Sequence, residues 1–269
     1  MNILPINYCK FNSNKQASNK NINFEHHPDF AKLNDKYPVM VTVSSYFRRG
    51  GKYGMPSSDF SDIMHSLKLF FNKKMDISSD NRVQMLIGGI GNSQEPFSIL
   101  AAIKYLIKEK KLKHVLDLYT VDLQSKPTRN TLFKQSFYDY VGMPAFVPSS
   151  FIEEDGRYYG LESWKKYRVN NDVFQYLLDV YNDPEKAQWE SRLQEVIPKY
   201  RKNKFDIICV NNTLGYIEDK NLRIKTVKNI EKALKPGGVF ITDTYSDYSD
   251  IFSPENADEI YKGIYQKRK

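Results

Sequence analysis

Three groups of residues in this chain have the types and spacing to handle a small ligand. Gly88, Gly89 and Gly91 follow an apolar run, Val83 to Ile87, and lead into Gln94-Glu95-Pro96-Phe97-Ser98. Glycines there let the backbone come close to a ligand. Asp122 stands at the end of a second apolar run, His114 to Val121. A glycine turn after one strand and an acid ending the next is how doubly wound folds take a nucleoside, with the carboxylate on the ribose hydroxyls. The spacing is not G-x-G-x-x-G, and no lysine follows as in a phosphate-binding loop, so a dinucleotide or a triphosphate is disfavoured. Glu95 falls in the first turn of the following helix, where the helix dipole favours a carboxylate and where it can hold a ligand ammonium. Asn211, Asn212 and Tyr216 come just after a third apolar run, Phe205 to Val210. That is the carboxyl end of a strand, where open α/β sheets keep their sites. A ligand with a ribose, an amino-acid ammonium and a sulfonium suits this set better than a pyrophosphate does. S-adenosyl-L-methionine (AdoMet) is such a ligand. Each piece also has a plainer reading: a structural turn, a solvated aspartate, a carboxylate at a helix start, a loop of two asparagines.

The elements that must position these residues are legible as periodicities. Val83–Ile87, His114–Val121, Phe205–Val210 and Val239–Thr242 read as buried strands. Asn92 or Ser93 can cap the helix that starts near Glu95, and Pro96 is tolerated in its first turn. Apolar residues at helical spacing predict helices over Asp59–Met75, Val173–Val180 and Asn221–Leu234, and helical patterning around Thr128–Tyr140. Lys235-Pro236-Gly237-Gly238 reads as a glycine stop after the Asn221–Leu234 helix. Asp258–Lys269 reads as a closing hairpin. The middle of the chain, Val141 to Arg201, gives no clear pattern beyond its one helix; it would cover the sheet or shape a substrate cleft. Strands alternating with helices imply an α/β fold with a mostly parallel sheet.

The bulk properties set limits. A chain of 269 residues with 27% charged and 14% aromatic residues is globular and can bury a sizeable core. The net charge of +8 would favour acidic partners, or is a solvated lysine-rich surface. Residues 11–23, Phe-Asn-Ser-Asn-Lys-Gln-Ala-Ser-Asn-Lys-Asn-Ile-Asn, are too polar to offset their ordering entropy and read as disordered. Cys9 and Cys209 are the only cysteines. One falls in a polar stretch and the other in a buried strand, so no disulfide is expected, in keeping with a reducing compartment. Met1 to Lys10 has no basic segment followed by an apolar run, and no stretch reaches the roughly 18 apolar residues that span a bilayer. A cytoplasmic location is expected. The four histidines are scattered, His26-His27 lacks the spacing of a helical metal pair, and no metal site is expected.

Taken in order, these segments resemble the chemoreceptor glutamate O-methyltransferases of the CheR type, which use AdoMet. Gly89–Ser98, GIGNSQEPFS, is similar to the family's Gly-Cys-Ala/Ser-Thr/Ser-Gly-Glu-Glu-Pro-Tyr-Ser at the first Gly, the second Glu, the Pro and the Ser. Phe205–Ile217 resembles Phe-Asp-Val-Ile-Phe-Cys-Arg-Asn-Val-Leu-Ile-Tyr-Phe, and Leu234–Gly238 is Leu-Lys-Pro-Gly-Gly. Thr42-Val-Ser-Ser-Tyr-Phe-Arg48 is similar to Asn-x-Thr-x-Phe-Phe-Arg. Tyr167–Val169 and the ending Ile-Tyr-Gln-Lys-Arg-Lys also look like family features. The resemblance runs from about residue 40 to 269, which makes residues 40–269 a catalytic domain behind an irregular or disordered segment, 1–39.

The resemblance implies a class I AdoMet-dependent methyltransferase fold: a Rossmann-like, mostly parallel seven-stranded sheet with a C-terminal antiparallel hairpin. It implies that Thr42, Ser44, Gly89, Gly91, Glu95, Asp122, Asn211 and Asn212 bind AdoMet, with S-adenosyl-L-homocysteine as product. Arg48 and Tyr216 would serve the acceptor, a glutamate side chain of a protein such as a chemoreceptor, with neither nucleic acid nor membrane insertion involved. Arg49 and Arg168 are the next choices to hold the acceptor carboxylate. The departures lie in the same motifs. Ser93 replaces the family's Gly, Gln94 its first Glu, Phe97 its Tyr, and Asn211 the Arg before the motif Asn. In place of the N-terminal helical domain stand the mostly polar residues 1–39. These changes leave room for a non-catalytic AdoMet-binding relative, or for another acceptor such as RNA or a small molecule.

Overall fold

In the computed structural model, the residues described are 67, 70, 71, 82–91, 93–107, 110–133, 137–140, 151–157, 164–211, 213–242, 248–261 and 263–269. The helix predicted over Asp59–Met75 lies outside them, apart from Leu67, Phe70 and Phe71, which are helical and buried.

Alternation along the central strands explains the architecture. In β1 (Val83–Gly88), Met85 and Ile87 enter one apolar cluster and Leu86 enters another. In β7 (Phe205–Val210), Ile207 and Cys209 face the first cluster, Ile208 and Val210 the second. In β8 (Leu234–Thr242), Val239 and Ile241 oppose Phe240 in the same way. A strand that is apolar on both faces needs cover on both faces. Helices α1 (Gln94–Ile107), α2 (Leu112–Val115) and α4 (Asn171–Asn182) pack on the first side. Helices α5 (Leu193–Val196) and α6 (Lys220–Ala233) pack on the other. Asp219 caps α6 by accepting from the amides of Asn221 and Leu222.

The remaining strands complete the sheet: β2 (Leu116–Val121), the two-residue β6 (Ala187–Gln188), β9 (Ala257–Tyr261) and β10 (Ile264–Lys267). Among the described residues the main sheet has seven strands in the order β6-β2-β1-β7-β8-β10-β9. The β6-β2, β2-β1, β1-β7 and β7-β8 pairs are parallel, and β10 runs antiparallel to both β8 and β9. This is the class I methyltransferase fold expected above, with its closing hairpin. The Phe205–Val210 strand is as predicted, and the predicted Val173–Val180 helix extends to Asn171–Asn182.

Three predicted boundaries are corrected. His114 and Val115 belong to α2 and not to the second strand. Leu112 and Val115 are buried while Lys113 and His114 are exposed, the spacing of one helical turn. The patterning around Thr128–Tyr140 is not one helix. A short α3 (Arg129–Phe133) gives way to β3 (Phe137–Tyr140), whose Phe-Tyr-Asp-Tyr pairs antiparallel with Tyr167–Trp164. Lys235–Gly238 does not end a helix with a glycine. Helix α6 stops at Ala233, and the buried Leu234 is already extended and paired with Phe205 of β7. Pro236 holds the preceding Lys235 extended, so the strand begins where a cap was expected.

Residues 137–169 hold a feature that periodicity does not disclose. Strands β3, β4 (Phe151–Arg157) and β5 (Trp164–Val169) form a separate antiparallel sheet, ordered β3-β5-β4. It is inserted between β2 and α4.

Two buried carboxylates tie the amino-terminal edge of the main sheet together. Asp206 accepts from Lys235 Nζ at 2.7 Å and from the amide of Gln84 at 2.9 Å. Asp117 accepts from Gln84 Nε2 at 2.8 Å and pairs with Arg82 and Lys186. A polar hollow of about 140 Å³ lies at this edge, lined by Arg82, Lys113, Asp117, Tyr176, Asp179 and Lys186 among others. Arg82, Lys186, Asp117 and Tyr176 already have partners there, Tyr176 by donating to Leu116 O.

Candidate functional site

Of the predicted residues, Gly89, Gly91, Asp122 and Asn211 lie at the opposite edge, beyond the carboxyl ends of β1, β2 and β7. The turn after β1 is built first by backbone. Gly89 N donates to Val121 O at 2.9 Å, which joins it to the end of β2. Gly89 and Gly91 take φ of +74° and +54°, a left-handed conformation that glycine adopts without strain. A Cβ on Gly89 would fall on the Thr213 side chain, whereas one on Gly91 would meet nothing within 4 Å. The turn is therefore packed closely on its Gly89 side and open on its Gly91 side.

Asp122 follows β2 and is buried. Its Oδ2 accepts from Gly91 N at 2.8 Å and its Oδ1 from Gln124 N at 2.7 Å. The expected pairing of glycine turn and acid is thus a direct hydrogen bond. A carboxylate has about four acceptor positions and these amides use two, so ligand hydroxyls can still be taken. The Asp122 backbone is held as well: its N–H donates to Gln188 O, and its carbonyl accepts from Ser191 N.

Glu95 is the second residue of α1 and Pro96 the third, in the first turn as predicted. Ser93 precedes the helix with φ of +70° and is fully buried. Its hydroxyl accepts a hydrogen bond from the Tyr181 hydroxyl at 2.8 Å, and its left-handed backbone differs from the extended one usual for a side-chain cap.

Asn211 directly follows β7. Its amide is buried and Nδ2 donates to Cys209 Sγ at 3.7 Å. Tyr216 ends a short 3-10 turn, Leu214–Tyr216, and is 67% exposed. Thr42, Ser44, Arg48, Arg49 and Asn212 lie outside the described residues. Arg168 is on β5 in the smaller sheet, opposite Ile152.

Several residues at this edge have no mark in the sequence. Thr213 Oγ1 donates to Asn211 O at 2.9 Å and lies 3.4 Å from Gly88 O, seating the β7 loop against the glycine turn. Trp189 and Glu190 follow β6, and Glu190 takes φ of +52°. Glu190 N donates to Gln124 O, and Glu190 Oε1 accepts from Ser125 Oγ. Trp189 stands edge-on to Tyr181, 4.8 Å between centroids. This wall escapes sequence reasoning because β6 has only two residues and no periodicity of its own. Among the described residues no group of acidic, histidine and cysteine side chains could hold a metal ion. No helix among them is long and apolar enough to cross a membrane.

Solved structures similar to this chain include several methyltransferases. The chain is similar to the DszA carbon methyltransferase at 15% identity, over 67% of this chain and 33% of that one, with a TM-score of 0.37. It is similar to the trans-methyltransferase CalH, solved in complex with SAH, at 11% identity over 68% and 36%, TM-score 0.36. A putative sarcosine dimethylglycine methyltransferase from Galdieria sulphuraria matches at 12% identity over 80% and 58%, TM-score 0.34. The chain spans about a third of the length of the first two. No protein-family model matches the chain, and no curated protein sequence matches it. At these TM-scores the likenesses carry no weight on activity. The strand order with its terminal hairpin defines the class: a class I AdoMet-dependent methyltransferase fold.

Proposed function

We propose that this chain binds AdoMet and transfers its methyl group to a protein glutamate carboxylate. The observation that carries the cofactor half is the Asp122 carboxylate hydrogen-bonded to Gly91 N at the carboxyl edge of a class I sheet. The open side of that turn and the remaining acceptor positions of Asp122 fit a ribose. Glu95, in the first turn of α1, is suited to the ligand ammonium. The acceptor half rests on the ordered resemblance of several separated segments to the CheR-type family.

AdoMet, when bound, supplies a methyl group activated by its sulfonium. A glutamate carboxylate, with an ordinary pKa of about 4.3, is already ionised at neutral pH. One of its oxygens forms a bond to the methyl carbon as the sulfur–carbon bond breaks. The products are a methyl ester and S-adenosyl-L-homocysteine, and no proton moves. The chain therefore needs no general base. It must align donor and acceptor and keep water out. Arg48 is assigned to one oxygen of the acceptor carboxylate, leaving the other to attack, and Tyr216 to the acceptor side.

Radiolabelled AdoMet incubated with host cytosolic and membrane proteins tests this. Base-labile label on a protein is the expected result. Bound cofactor with no transfer to any protein would refute the acceptor assignment. Asp122→Ala should abolish measurable AdoMet binding by calorimetry; unchanged affinity would refute the cofactor site.

Asn211 favours a second reading, in which AdoMet is bound but the acceptor differs or is lost. Where the family has an arginine, this amide is buried against Cys209. Turnover with a glutamate acceptor excludes it.

A further inference from the structure

We infer that Tyr181 is a positioning residue for the cofactor turn, holding Ser93 in a backbone conformation that a serine does not keep unaided. This rests on the AdoMet reading above and deepens it. Among the described residues from Gly89 to Ser93, the backbone is left-handed at Gly89, Gly91 and Ser93. Two of these residues are glycine. The third carries a Cβ, and left-handed backbone is unfavourable for it by crowding against the carbonyl. Such a conformation persists where its surroundings determine it.

The surroundings of Ser93 do so at each polar group. Its N–H donates to Ile90 O at 3.0 Å, and its carbonyl accepts the first helical hydrogen bond of α1, from Phe97 N at 3.2 Å. Its hydroxyl, completely buried, accepts from Tyr181 Oη at 2.8 Å. Rotating Ser93 out of the left-handed region would move that oxygen and leave two buried hydroxyls unpaired.

Tyr181 is itself firmly held. It is the penultimate residue of α4 and is fully buried. Trp189 packs on it at 88° between ring planes and donates Nε1 to Tyr181 O at 3.3 Å. Burial, with the Asp122 charge adding to it, pushes the Tyr181 hydroxyl well above the usual phenol range, so it remains a donor. The turn is thus fixed at two points from two elements: Asp122 of the β2 loop grips Gly91, and Tyr181 of α4 grips Ser93. The second grip sets where α1 starts, and with it the helix end that carries Glu95.

A substitution cycle separates positioning from mere structure. Tyr181→Phe removes one hydroxyl and keeps the ring. Ser93→Gly removes both the need for the grip and its acceptor. Calorimetric titration with AdoMet should show Tyr181→Phe binding about fivefold more weakly, the worth of one neutral buried hydrogen bond. Amide exchange over residues 89–97, measured without AdoMet, should accelerate by a similar factor. When Ser93→Gly and Tyr181→Phe are combined, both quantities should return to within about twofold of wild type, since glycine takes this backbone unaided. An effect of Tyr181→Phe that is equally large in the Ser93→Gly background, or no effect in either measurement, overturns the inference. If the wild-type chain takes up no AdoMet, the cofactor reading fails by itself, and the exchange rates decide the role of Tyr181.

Discussion

Gly89 and Gly91 occupy one turn and share one backbone conformation, yet replacing them should have unequal effects. An alanine at either position meets the left-handed penalty of about 1–2 kcal/mol. At Gly91 that is the whole effect, because the new methyl group meets nothing within 4 Å. At Gly89 the methyl group falls on Thr213 Oγ1 and stands 2.7 Å from Cγ2 and 2.8 Å from Cβ. Thr213 is β-branched and stiff, and its hydroxyl is engaged at Asn211 O, so it cannot swing aside freely. Forcing a methyl group into such a contact adds about 1–3 kcal/mol. Gly89→Ala should therefore lose roughly 2–5 kcal/mol and Gly91→Ala roughly 1–2 kcal/mol, summing the two effects. Urea unfolding followed by circular dichroism, with linear extrapolation, measures both on one scale. Thr213→Gly in the Gly89→Ala background removes the obstacle and should recover most of the excess. Equal losses at the two glycines, or no recovery with Thr213→Gly, would refute the packing argument. AdoMet affinity in Gly91→Ala then reports on ligand approach alone, since its stability loss is the smaller.

Three further outcomes follow from named contacts. Asp122→Asn sets an amide NH2 against one of the N–H groups of Gly91 and Gln124, so AdoMet affinity should fall at least about tenfold by calorimetry for about 1–3 kcal/mol of lost stability. Asp206→Ala deprives Lys235 Nζ and Gln84 N of a buried acceptor at 2.7 and 2.9 Å, and should destabilise by about 2–3 kcal/mol in the same urea assay. Burial pushes the Tyr200 hydroxyl from 10.0 up to about 12. The folded state thus keeps a proton that the unfolded chain releases, so its contribution is intact below pH 10 and is lost as pH rises towards 12. By pH 11 the loss attributable to Tyr200 is about 1 kcal/mol after allowing for its partial exposure, and Tyr200→Phe should flatten the alkaline fall of thermal stability.

Much of the frame is legible in sequence because its strands are apolar on both faces. Phe205–Val210 reads as a buried strand from composition alone, and it is buried throughout. The link from Asp122 to the glycine turn is legible as a pair of residue types, and the structure makes it a hydrogen bond. The smaller sheet is not legible. Phe-Ile-Glu-Glu-Asp-Gly-Arg and Trp-Lys-Lys-Tyr-Arg-Val carry charges where a strand pattern needs apolar residues, and their pairing is settled across the sheet and not along the chain. Ser93 reads as a cap because serine is a good one; that its hydroxyl also accepts from a buried tyrosine far along the chain is not legible. Thr213 gives no signal, since its importance comes from lying against a glycine of another strand.

The placement of the smaller sheet bears on how the protein assembles. Strand β6 pairs with β2 at Thr120–Ala187, so this edge of the main sheet closes only after a loop of roughly 65 residues has been gathered in, at an entropic cost that grows with its length. The pairs β7-β8 and β10-β9 are much closer in sequence. The β1-β7 pair, from Met85 to Ile207, reaches further along the chain than any of these. Pairings of such separation slow folding. A chain interrupted before Phe205 has the partner of β1 on its β2 side and lacks the one on its β7 side, so the glycine turn would be without the Thr213 side chain that packs against Gly88 and Gly89.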